Sequence, residues 1–547
     1  MILRSAVRPG SYYDSVVLMQ LQRSLGALPG ILDAGVVMAT PPNREMLAAS
    51  GLLPTGGEAG AEAGEGDLLI AVRAEDEAAA GEALSRVDSL LQVRRSGGDG
   101  SQGGYRPRSL QGAVKALSGA RWALVSVPGR SAAGVAEQAL DLSLNVFLYS
   151  DNVPLAEEAA LKRKAAERGL LVMGPDCGTA ILGGAGLGFA NRVRRGAIGI
   201  VAASGTGLQM VASRIHELGG GISQAIGTGG RDLTEPIGGI TARQALDLLG
   251  RDPGTETMVL LSKPPSPKVA AQVLAAARAA GKPVVVNFLG WTPPVRRLGA
   301  IRFAVSLEEA AELALEPHPP APSPIALPAP GRGGESHAVR GLFSGGTLAS
   351  EVRLALQAFL GPEACTILDL GDDEFTVGRL HPMIDQDLRL RRLRAEAADP
   401  AVSILLLDVV LGDGAHADPA GELAPVIERC LGERSDLSVL VLIVGTDQDP
   451  QNLDEQTATL ERAGARVCRT VSALVEEVWD RLAPAAEPLA PVPLTALDPP
   501  AVINVGLESF YDSLASRGVP SVHVDWKPPA GGNEKLASIL ARMKKHA

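Results

Sequence analysis

The sequence predicts a multidomain α/β protein built from parallel, doubly wound sheets. Short apolar runs such as Met258–Leu261 and Ile404–Leu407 alternate with helical patterns along most of the chain. The length of 547 residues is enough for several domains that each bury a core. Hydrophobic residues make up 46% and charged residues 21%, a composition typical of globular chains.

Changes in composition mark the expected domain boundaries. Proline-rich stretches over Pro317–Gly334 and Pro484–Pro500 predict stiff linkers, and the glycine-rich Ser96–Gly104 predicts a flexible one. The predicted order is an N-terminal α/β region (1–105), a Rossmann-like domain (106–195), an α/β domain (196–316), a linker (317–338), a second α/β domain (339–484), a linker (485–500) and a C-terminal segment (501–547).

Charge, cysteine content and hydropathy exclude several classes of partner. The net charge of −11 and the pI of about 5.3 argue against nucleic acid, because no basic stripe could neutralise its phosphates. The start of the chain has no signal-peptide core, and no apolar run approaches the roughly 20 residues that cross a bilayer. The four cysteines form no CxxC pair, which argues against a zinc ribbon or a disulfide framework. We therefore expect a soluble cytoplasmic protein with no membrane partner.

An internal repeat is the most informative feature of the sequence. Gly199–Gly207 and Gly341–Thr347 each predict a strand, a glycine-rich turn and the start of a helix. Further strand-like runs follow in the same order in both copies. The repeat predicts two related doubly wound domains, and chance similarity between ordinary βαβ units is the alternative.

The two glycine-rich turns are candidate anion-binding loops. A turn from a strand into a helix leaves backbone N–H groups free at the positive end of the helix, where a phosphate or carboxylate is stabilised. Neither turn has the lysine of a Walker A loop or the pattern of a nucleophile elbow. Helix capping alone is the other interpretation. If the two domains pair, both helix ends point at one anion, and the phosphate-binding candidates are Ser204, Gly205, Thr206, Gly207, Ser344, Gly345, Gly346 and Thr347.

Three further loops carry candidate ligand-binding residues. The turn that contains Gly229, Gly230 and Arg231 follows an apolar run, so its N–H groups and guanidinium could hold a phosphate, although a tight turn with a surface salt bridge is equally consistent. Two loops are cofactor-binding candidates: the first contains Pro128 and Gly129, and the second contains Gly174, Pro175, Asp176 and Cys177. For the Cys177 thiol, packing in the core is favoured over a reactive role.

Carboxylates and histidines cluster in the second repeat. Hard oxygen ligands of this kind make Mg²⁺ a candidate metal, although acidic residues are also common at loop ends and helix caps. His381 is a candidate base at neutral pH, with a structural histidine as the favoured alternative. We assign no metal site; the acidic residues are Asp369, Asp372, Asp373, Glu374, Asp385, Asp408 and Asp413.

These motifs resemble two known groups of proteins. Residues 118–315 are similar to the α subunit of succinyl-CoA synthetase, and residues 339–483 are similar to the carboxy-terminal domain of its β subunit. Over nearly its full length the chain resembles FdrA proteins. The motifs that carry this second resemblance are Met173–Thr179, Ala203–Gly207, Ser262–Pro265, Ile367–Asp373, His381–Asp385 and Pro529–Asn533.

The resemblance implies a CoA-binding-type Rossmann domain followed by two flavodoxin-like ligase domains, and CoA or a nucleotide as cofactor. Two family features are missing. Succinyl-CoA synthetases carry a phosphorylated histidine in a Gly-His-Ala-Gly loop, whereas no histidine lies between His216 and His318 here. The chain also has no stretch that resembles an ATP-grasp domain.

Three functions remain open at this point. The resemblance implies an acyl-CoA synthetase-type enzyme or subunit that handles an acyl phosphate or phosphate. FdrA proteins are also linked to oxamate carbamoyltransferase complexes that use carbamoyl phosphate with partner subunits. A non-catalytic nucleotide- or CoA-binding scaffold is the third, and partner subunits or a homo-oligomer are expected in each case. Arg231, Lys263 and His381 are the catalytic candidates.

Overall fold

The computed structural model divides the chain into two compact units, Met1–Ser109 with Val524–Ala547, and Leu110–His523. It describes residues 1–9, 15–53, 63–64, 67–96, 106–291, 293–317, 338–360, 363, 365–482 and 488–527. The predicted linkers over 96–104 and 317–338, apart from their end residues, and the Pro529–Asn533 motif lie outside these ranges.

The N-terminal unit is a three-stranded antiparallel sheet with the order β1-β3-β2. Alternate residues of the central strand enter two apolar clusters, because successive side chains of a strand point to opposite faces. Its elements are β1 (Ile2–Arg8), α1 (Ser15–Gly26), β2 (Ile31–Met38), α2 (Pro41–Ala49), β3 (Leu68–Ala74) and α3 (Glu77–Ser96).

The first sheet of the larger unit has five strands in the order β21-β20-β4-β5-β6. Counted from β4, this is the strand order 3-2-1-4-5 of a Rossmann-type sheet, with its fourth and fifth strands supplied by the distant C-terminal segment. Its elements are α4 (Leu110–Ala116), β4 (Trp122–Val125), α5 (Gly129–Asp141), β5 (Asn145–Leu148), α6 (Leu155–Glu167), β6 (Val172–Met173), β20 (Val502–Val505), α17 (Glu508–Ala515) and β21 (Ser521–Val524).

The second sheet has eight strands in the order β13-β14-β12-β11-β9-β10-β7-β8. Its five parallel strands are β9, β10, β11, β12 and β14. The β7–β8 hairpin adds two antiparallel strands beside β10. Its elements are β7 (Thr179–Leu182), β8 (Ala185–Gly188), β9 (Arg195–Ala202), α7 (Gly205–Glu217), β10 (Ile222–Gly227), α8 (Ile240–Arg251), β11 (Thr257–Ser262), α9 (Pro267–Ala279), β12 (Val284–Phe288), β13 (Arg297–Leu298), β14 (Ile301–Phe303) and α10 (Leu307–Leu315).

The third sheet has five parallel strands in the order β16-β15-β17-β18-β19. Both this sheet and the parallel part of the second have the order 2-1-3-4-5, as the internal repeat predicts. Its elements are β15 (Ala338–Phe343), α11 (Gly346–Leu360), β16 (Cys365–Asp369), α12 (Asp373–Thr376), α13 (Asp387–Ala398), β17 (Val402–Val410), α14 (Pro419–Glu433), β18 (Ser438–Val444), α15 (Leu453–Arg462), β19 (Arg466–Cys468) and α16 (Val471–Leu482).

Candidate functional site

The first sheet reverses its strand order between β4 and β20, and the loops after these two strands meet there. The Ser126 hydroxyl accepts a hydrogen bond of 2.8 Å from the Leu507 N–H, and the Ser126 N–H donates to Val505 O. Gly506 has a φ of +122°, and a Cβ there would lie 2.5 Å from the Ser126 backbone. Such a crevice at the carboxyl ends of parallel strands is the usual ligand site of open α/β sheets.

The sequence-predicted cofactor loop at Pro128 and Gly129 follows β4 at this same edge. A Cβ at Gly129 would lie 2.2 Å from Asp151 O, so only glycine allows the loop after β4 to approach the loop after β5. Gly129 is also the first residue of α5, whose N-terminus therefore opens onto the crevice. The structure thus places this candidate pair at the crevice, beside a helix N-terminus, and its role in cofactor binding stays a prediction.

The second cofactor loop, Gly174–Cys177, links the first sheet to the second. The Asp176 N–H donates to Ser150 O over 3.0 Å, which holds the loop against the end of β5. On its other side the Gly174 N–H donates to Thr228 O over 3.3 Å. The loop therefore joins the crevice of the first sheet to the turn after β10.

The Cys177 thiol is a packed core group. Its side chain is buried, and its Sγ lies 3.7 Å from Thr179 O, to which it donates. Burial raises the pKa of the Cys177 thiol to about 12, so almost no thiolate forms at neutral pH. The structure thereby favours the packing interpretation over a reactive thiol.

Loop 1, defined as Ser204–Gly207, begins helix α7. The Ser204 hydroxyl caps the helix by accepting a hydrogen bond of 3.1 Å from the Gly207 N–H. Within the described part of the chain, no acceptor is paired with the N–H groups of Gly205 and Thr206. The loop combines capping with two free donors, so the two interpretations of this motif are compatible.

A buried hydroxyl lies beside loop 1. Thr179 is almost fully buried, and its Oγ1 atom has no hydrogen-bond partner among the described residues. A Cβ placed on Gly205 would lie 3.9 Å from this Oγ1 atom and 3.9 Å from Gly178 Cα. A buried polar atom without a partner is uncommon, because desolvation makes it costly. An oxyanion bound at loop 1 would satisfy it.

The turn after β10 lies next to loop 1. A Cβ on Gly230 would lie 4.0 Å from Ala203 O and 3.8 Å from Asp176 Oδ2. Gly229 has a φ of +86°, and its Cβ position lies 2.4 Å from Pro175 O, so this position requires glycine. Gly229 and Gly230 therefore lie beside loop 1, and their role in phosphate binding stays a prediction.

Arg231 is partly exposed, and its guanidinium is engaged by groups of the protein. Its Nη2 atom lies 2.8 Å from the Glu158 carboxylate and donates to Val153 O over 2.7 Å. Glu158 also pairs with the fully buried Lys162, which in turn pairs with Asp232 at 2.7 Å. The predicted ligand clamp is thus an anchor that holds the turn on α6.

Lys263 is exposed at the carboxyl edge of the second sheet. It follows β11, which pairs with β9, and the Ala203 N–H donates to Leu261 O over 2.8 Å. Loop 1 follows β9, so Lys263 and loop 1 lie at the same edge of adjacent strands. Its catalytic role stays a prediction.

Loop 2, defined as Ser344–Thr347, differs from loop 1 because a carboxylate of the protein occupies it. Asp408 accepts hydrogen bonds from the Ser344 N–H at 2.8 Å and the Gly345 N–H at 2.9 Å. A Cβ on Gly346 would lie 2.3 Å from the Asp369 carboxylate. The prediction of two loops that share one anion is therefore wrong for Ser344 and Gly345 in this structure, because an internal anion fills their cradle.

The repeat explains this asymmetry. Leu261 pairs with Ala202 in the second sheet, and Leu407 pairs with Leu342 in the third. The next residue in each case is Ser262 and Asp408, which makes these two positions equivalent in the two copies. The position that carries the Asp408 carboxylate beside loop 2 therefore carries Ser262 in the copy that contains loop 1.

The remaining sequence candidates belong to the surroundings of loop 2. The Nε2 atom of His381 lies 2.7 Å from a Cβ position on Gly371, and its Nδ1 atom accepts from the Met383 N–H at 3.2 Å. Asp372 caps α12 through the Glu374 N–H at 3.1 Å. In the described ranges no three histidine, cysteine or acidic side chains are grouped so as to hold a metal ion.

Several residues of the site escaped sequence reasoning. Ser126 and Gly506 were missed because they meet only when the C-terminal strand β20 joins the first sheet. Thr179 and Ser262 were missed because a lone hydroxyl gives no signal until its neighbours are known. Asp408 was noted as an acidic residue, and only its partners show its role.

Three family models match parts of the chain. A model described as CoA-ligase matches residues 342–478, and one described as CoA binding domain matches residues 194–290. The CoA-binding match lies over the second sheet, in the range that the sequence division assigns to the first ligase-type domain. A third model, described as the heavy metal-associated domain of AllF, matches residues 1–107. The fold and these matches define a protein of the succinyl-CoA synthetase-like superfamily.

Individual relatives give the same result. The YahF protein of Escherichia coli (strain K12) is 41% identical over 499 residues, which are 85% of this chain and 95% of YahF. The chain belongs to the FdrA-type family of YahF. The succinate–CoA ligase [ADP-forming] subunit alpha of Aquifex aeolicus is 28% identical, and the match covers 33% of this chain and 61% of that subunit.

A solved structure, PH0766 from Pyrococcus horikoshii OT3, matches 69% of this chain and 90% of its own length at 16% identity. Its TM-score of 0.30 is too low to carry an argument.

The N-terminal unit does not fit the metal that its family model implies. Heavy-metal sites of the soft type use cysteine thiolates and histidine nitrogens. Residues 1–107 contain neither cysteine nor histidine. We therefore assign no metal role to this unit. In the larger unit, as in the described part of the chain generally, no helix is long and apolar enough to cross a membrane.

Proposed function

We propose that this protein is an acyl-transfer enzyme or subunit that binds an acyl phosphate or phosphate at loop 1. One observation carries the proposal: within the described residues the Gly205 N–H at the start of α7 has no acceptor, whereas its equivalent in the repeat, the Gly345 N–H, donates to the Asp408 carboxylate. The repeat thus supplies its own example of an anion in this cradle. Loop 1 offers the same kind of cradle to an external anion.

The charge development in acyl transfer suits this arrangement. A nucleophile attacks the carbonyl carbon of an acyl phosphate, the bond from that carbon to the phosphate oxygen breaks, and phosphate leaves with its electron pair. Backbone donors at a helix N-terminus stabilise the negative charge that grows on the leaving oxygen. Lys263, exposed at the same edge, is proposed to neutralise phosphate, and the loops after β4 and β6 are proposed to hold CoA or a nucleotide.

The identity of the acyl acceptor separates the two enzymatic alternatives. The absence of histidine between His216 and His318 favours direct use of an acyl phosphate over a phosphohistidine relay. With CoA as acceptor the protein acts as a synthetase, as the name of the Aquifex ligase subunit indicates for that relative. With oxamate and carbamoyl phosphate it acts in carbamoyl transfer. Partner subunits are proposed in both cases.

Two variants of neighbouring serines test the proposal. Ser262→Asp places a carboxylate at the position equivalent to Asp408, where it would occupy the N–H groups of loop 1. We expect phosphate affinity, measured by titration calorimetry on the full chain, to fall at least about tenfold. Ser266→Asp is the matched control, because Ser266 caps α9 and aspartate is an equally good cap. Equal phosphate affinity in the Ser262→Asp variant and the wild type would reject loop 1 as the site.

An activity assay then identifies the reaction. Phosphate release is followed from succinyl phosphate with CoA, and from carbamoyl phosphate with oxamate, with and without co-purifying subunits. Turnover that Ser262→Asp abolishes supports acyl transfer, and the productive pair names the acceptor. Phosphate binding without turnover under every condition would instead support the non-catalytic scaffold.

A further inference from the structure

A second cavity opens at the opposite edge of the second sheet from loop 1. It has a volume of about 400 Å³ and lies between the β7–β8 hairpin, the start of β9 and the end of α17. Its lining includes the apolar Ile181 and Ile222 and three arginines, Arg192, Arg195 and Arg517.

In the part of the chain that the structure describes, no carboxylate lies within ion-pair distance of any of these three guanidinium groups. Burial lowers the pKa of Arg517, and the positive charge of Arg192 lowers it further. Like charges brought together without a counter-ion raise the energy of the site, and a bound anion removes that cost.

The backbone makes room for this arrangement. The Arg195 Nη1 atom lies 2.7 Å from the Cβ position of Gly184, and the Arg517 Nη1 atom lies 3.0 Å from that of Gly186. Arg517 is also fixed, because its Nη2 atom donates to Gly186 O over 2.6 Å. Two of the three arginines therefore rest on glycines of the hairpin, where larger side chains would fill their places.

We propose that this cavity binds a small polyanion that carries phosphate or carboxylate groups. A guanidinium offers parallel N–H donors that match both groups in bidentate fashion. Three guanidinium groups beside apolar lining residues suit a compact molecule with two or more anionic groups. The residues are distinct from those of loop 1, so this site does not depend on the function proposed above.

Titration calorimetry on the full-length chain tests the site with two probes, inorganic pyrophosphate and citrate. We expect at least one probe to bind the wild type, and Arg192→Gln and Arg195→Gln each to weaken it about tenfold. Neither side chain makes a hydrogen bond or ion pair within the described ranges, so both variants should fold normally. Arg429→Gln, an exposed charge removal on α14, is the matched control and should bind like the wild type.

The same titration in the Ser262→Asp background separates this cavity from loop 1. Binding that persists there and is lost in the Arg192→Gln, Arg195→Gln double variant supports the proposal. Pyrophosphate as the better probe identifies a phosphate ligand, and citrate identifies a carboxylate ligand. Failure of both probes to bind, or full affinity in the double variant, overturns it.

Discussion

The carboxylate of Asp408 accepts hydrogen bonds from both the backbone N–H and the hydroxyl of Ser344, at 2.8 and 2.9 Å. The fully buried Arg389 completes the arrangement by donating to the same carboxylate over 2.9 Å and to Leu342 O over 3.1 Å. Burial lowers the pKa of the Arg389 guanidinium, and the Asp408 charge counteracts this effect. Asp408 thus serves as a built-in anion for loop 2.

Replacing Asp408 should destabilise the protein strongly. Asp408→Asn keeps the shape of the side chain but leaves the Arg389 charge buried without a counter-charge, which costs about 3–5 kcal/mol. Urea unfolding followed by circular dichroism measures the loss. Asp413→Asn, a change to an exposed carboxylate nearby in sequence, should alter the free energy of unfolding by less than about 0.5 kcal/mol. Similar stability of both variants would show that the buried pair is not a stabilising contact.

Two lysines on helix α6 should differ sharply. Lys162 is fully buried and pairs with Glu158 and Asp232, so Lys162→Met leaves the buried Asp232 without a cationic partner and Glu158 with Arg231 alone, which costs about 3–5 kcal/mol. Lys164 pairs with the largely exposed Glu137 and Asp141, so Lys164→Met costs less than about 1 kcal/mol. The difference between the two variants, measured by urea unfolding, is the expected result. Equal losses would contradict the role of Lys162 in holding the turn after β10.

The native cysteines should resist modification. Burial raises the pKa of Cys177 to about 12 and those of Cys365 and Cys468 to about 11, and it also raises the pKa of Cys430. We expect Ellman's reagent to label no thiol rapidly at pH 8, and all four after denaturation. A rapidly reacting thiol in the native protein would contradict this.

The same shifts predict an alkaline loss of stability. Unfolded thiols titrate near pH 9, so above that pH the folded state binds more protons than the unfolded state. The contribution of the protonated, buried thiols to the free energy of unfolding is complete below about pH 9 and falls as the pH rises toward 12. Cys177→Ala should reduce this slope, which urea unfolding at several pH values would reveal; an unchanged slope would contradict the assignment to Cys177.

The C-terminal strand should be essential to the first sheet. Ile503 is fully buried on β20, so Ile503→Ala should cost about 2–5 kcal/mol of global stability. Leu494→Ala is the control, because that side chain is 41% exposed and should cost less than about 1 kcal/mol. An unchanged free energy of unfolding for Ile503→Ala would mean that β20 is an accessory element.

The sequence predicted the repeat well because glycine turns and apolar runs are local signals. Helix α7 begins at Gly205 shortly after β9, as the motif predicts, since strand–turn–helix geometry is set by neighbours in the chain. The state of loop 2 could not be predicted, because Asp408 reaches it from a strand 64 residues away. The sequence left two interpretations of Arg231 open for the same reason: its partner Glu158 is on a distant helix.

The hydrogen bond between Ser126 and Leu507, which are 381 residues apart in sequence, also affects folding during translation. At about 5–20 residues per second, a ribosome needs on the order of tens of seconds between these two points. During that time the β4 edge emerges without its neighbour and is open to mispairing with other nascent chains. Folding of the crevice therefore awaits synthesis of the chain through Leu507, which would make chaperone binding during translation especially useful to this protein.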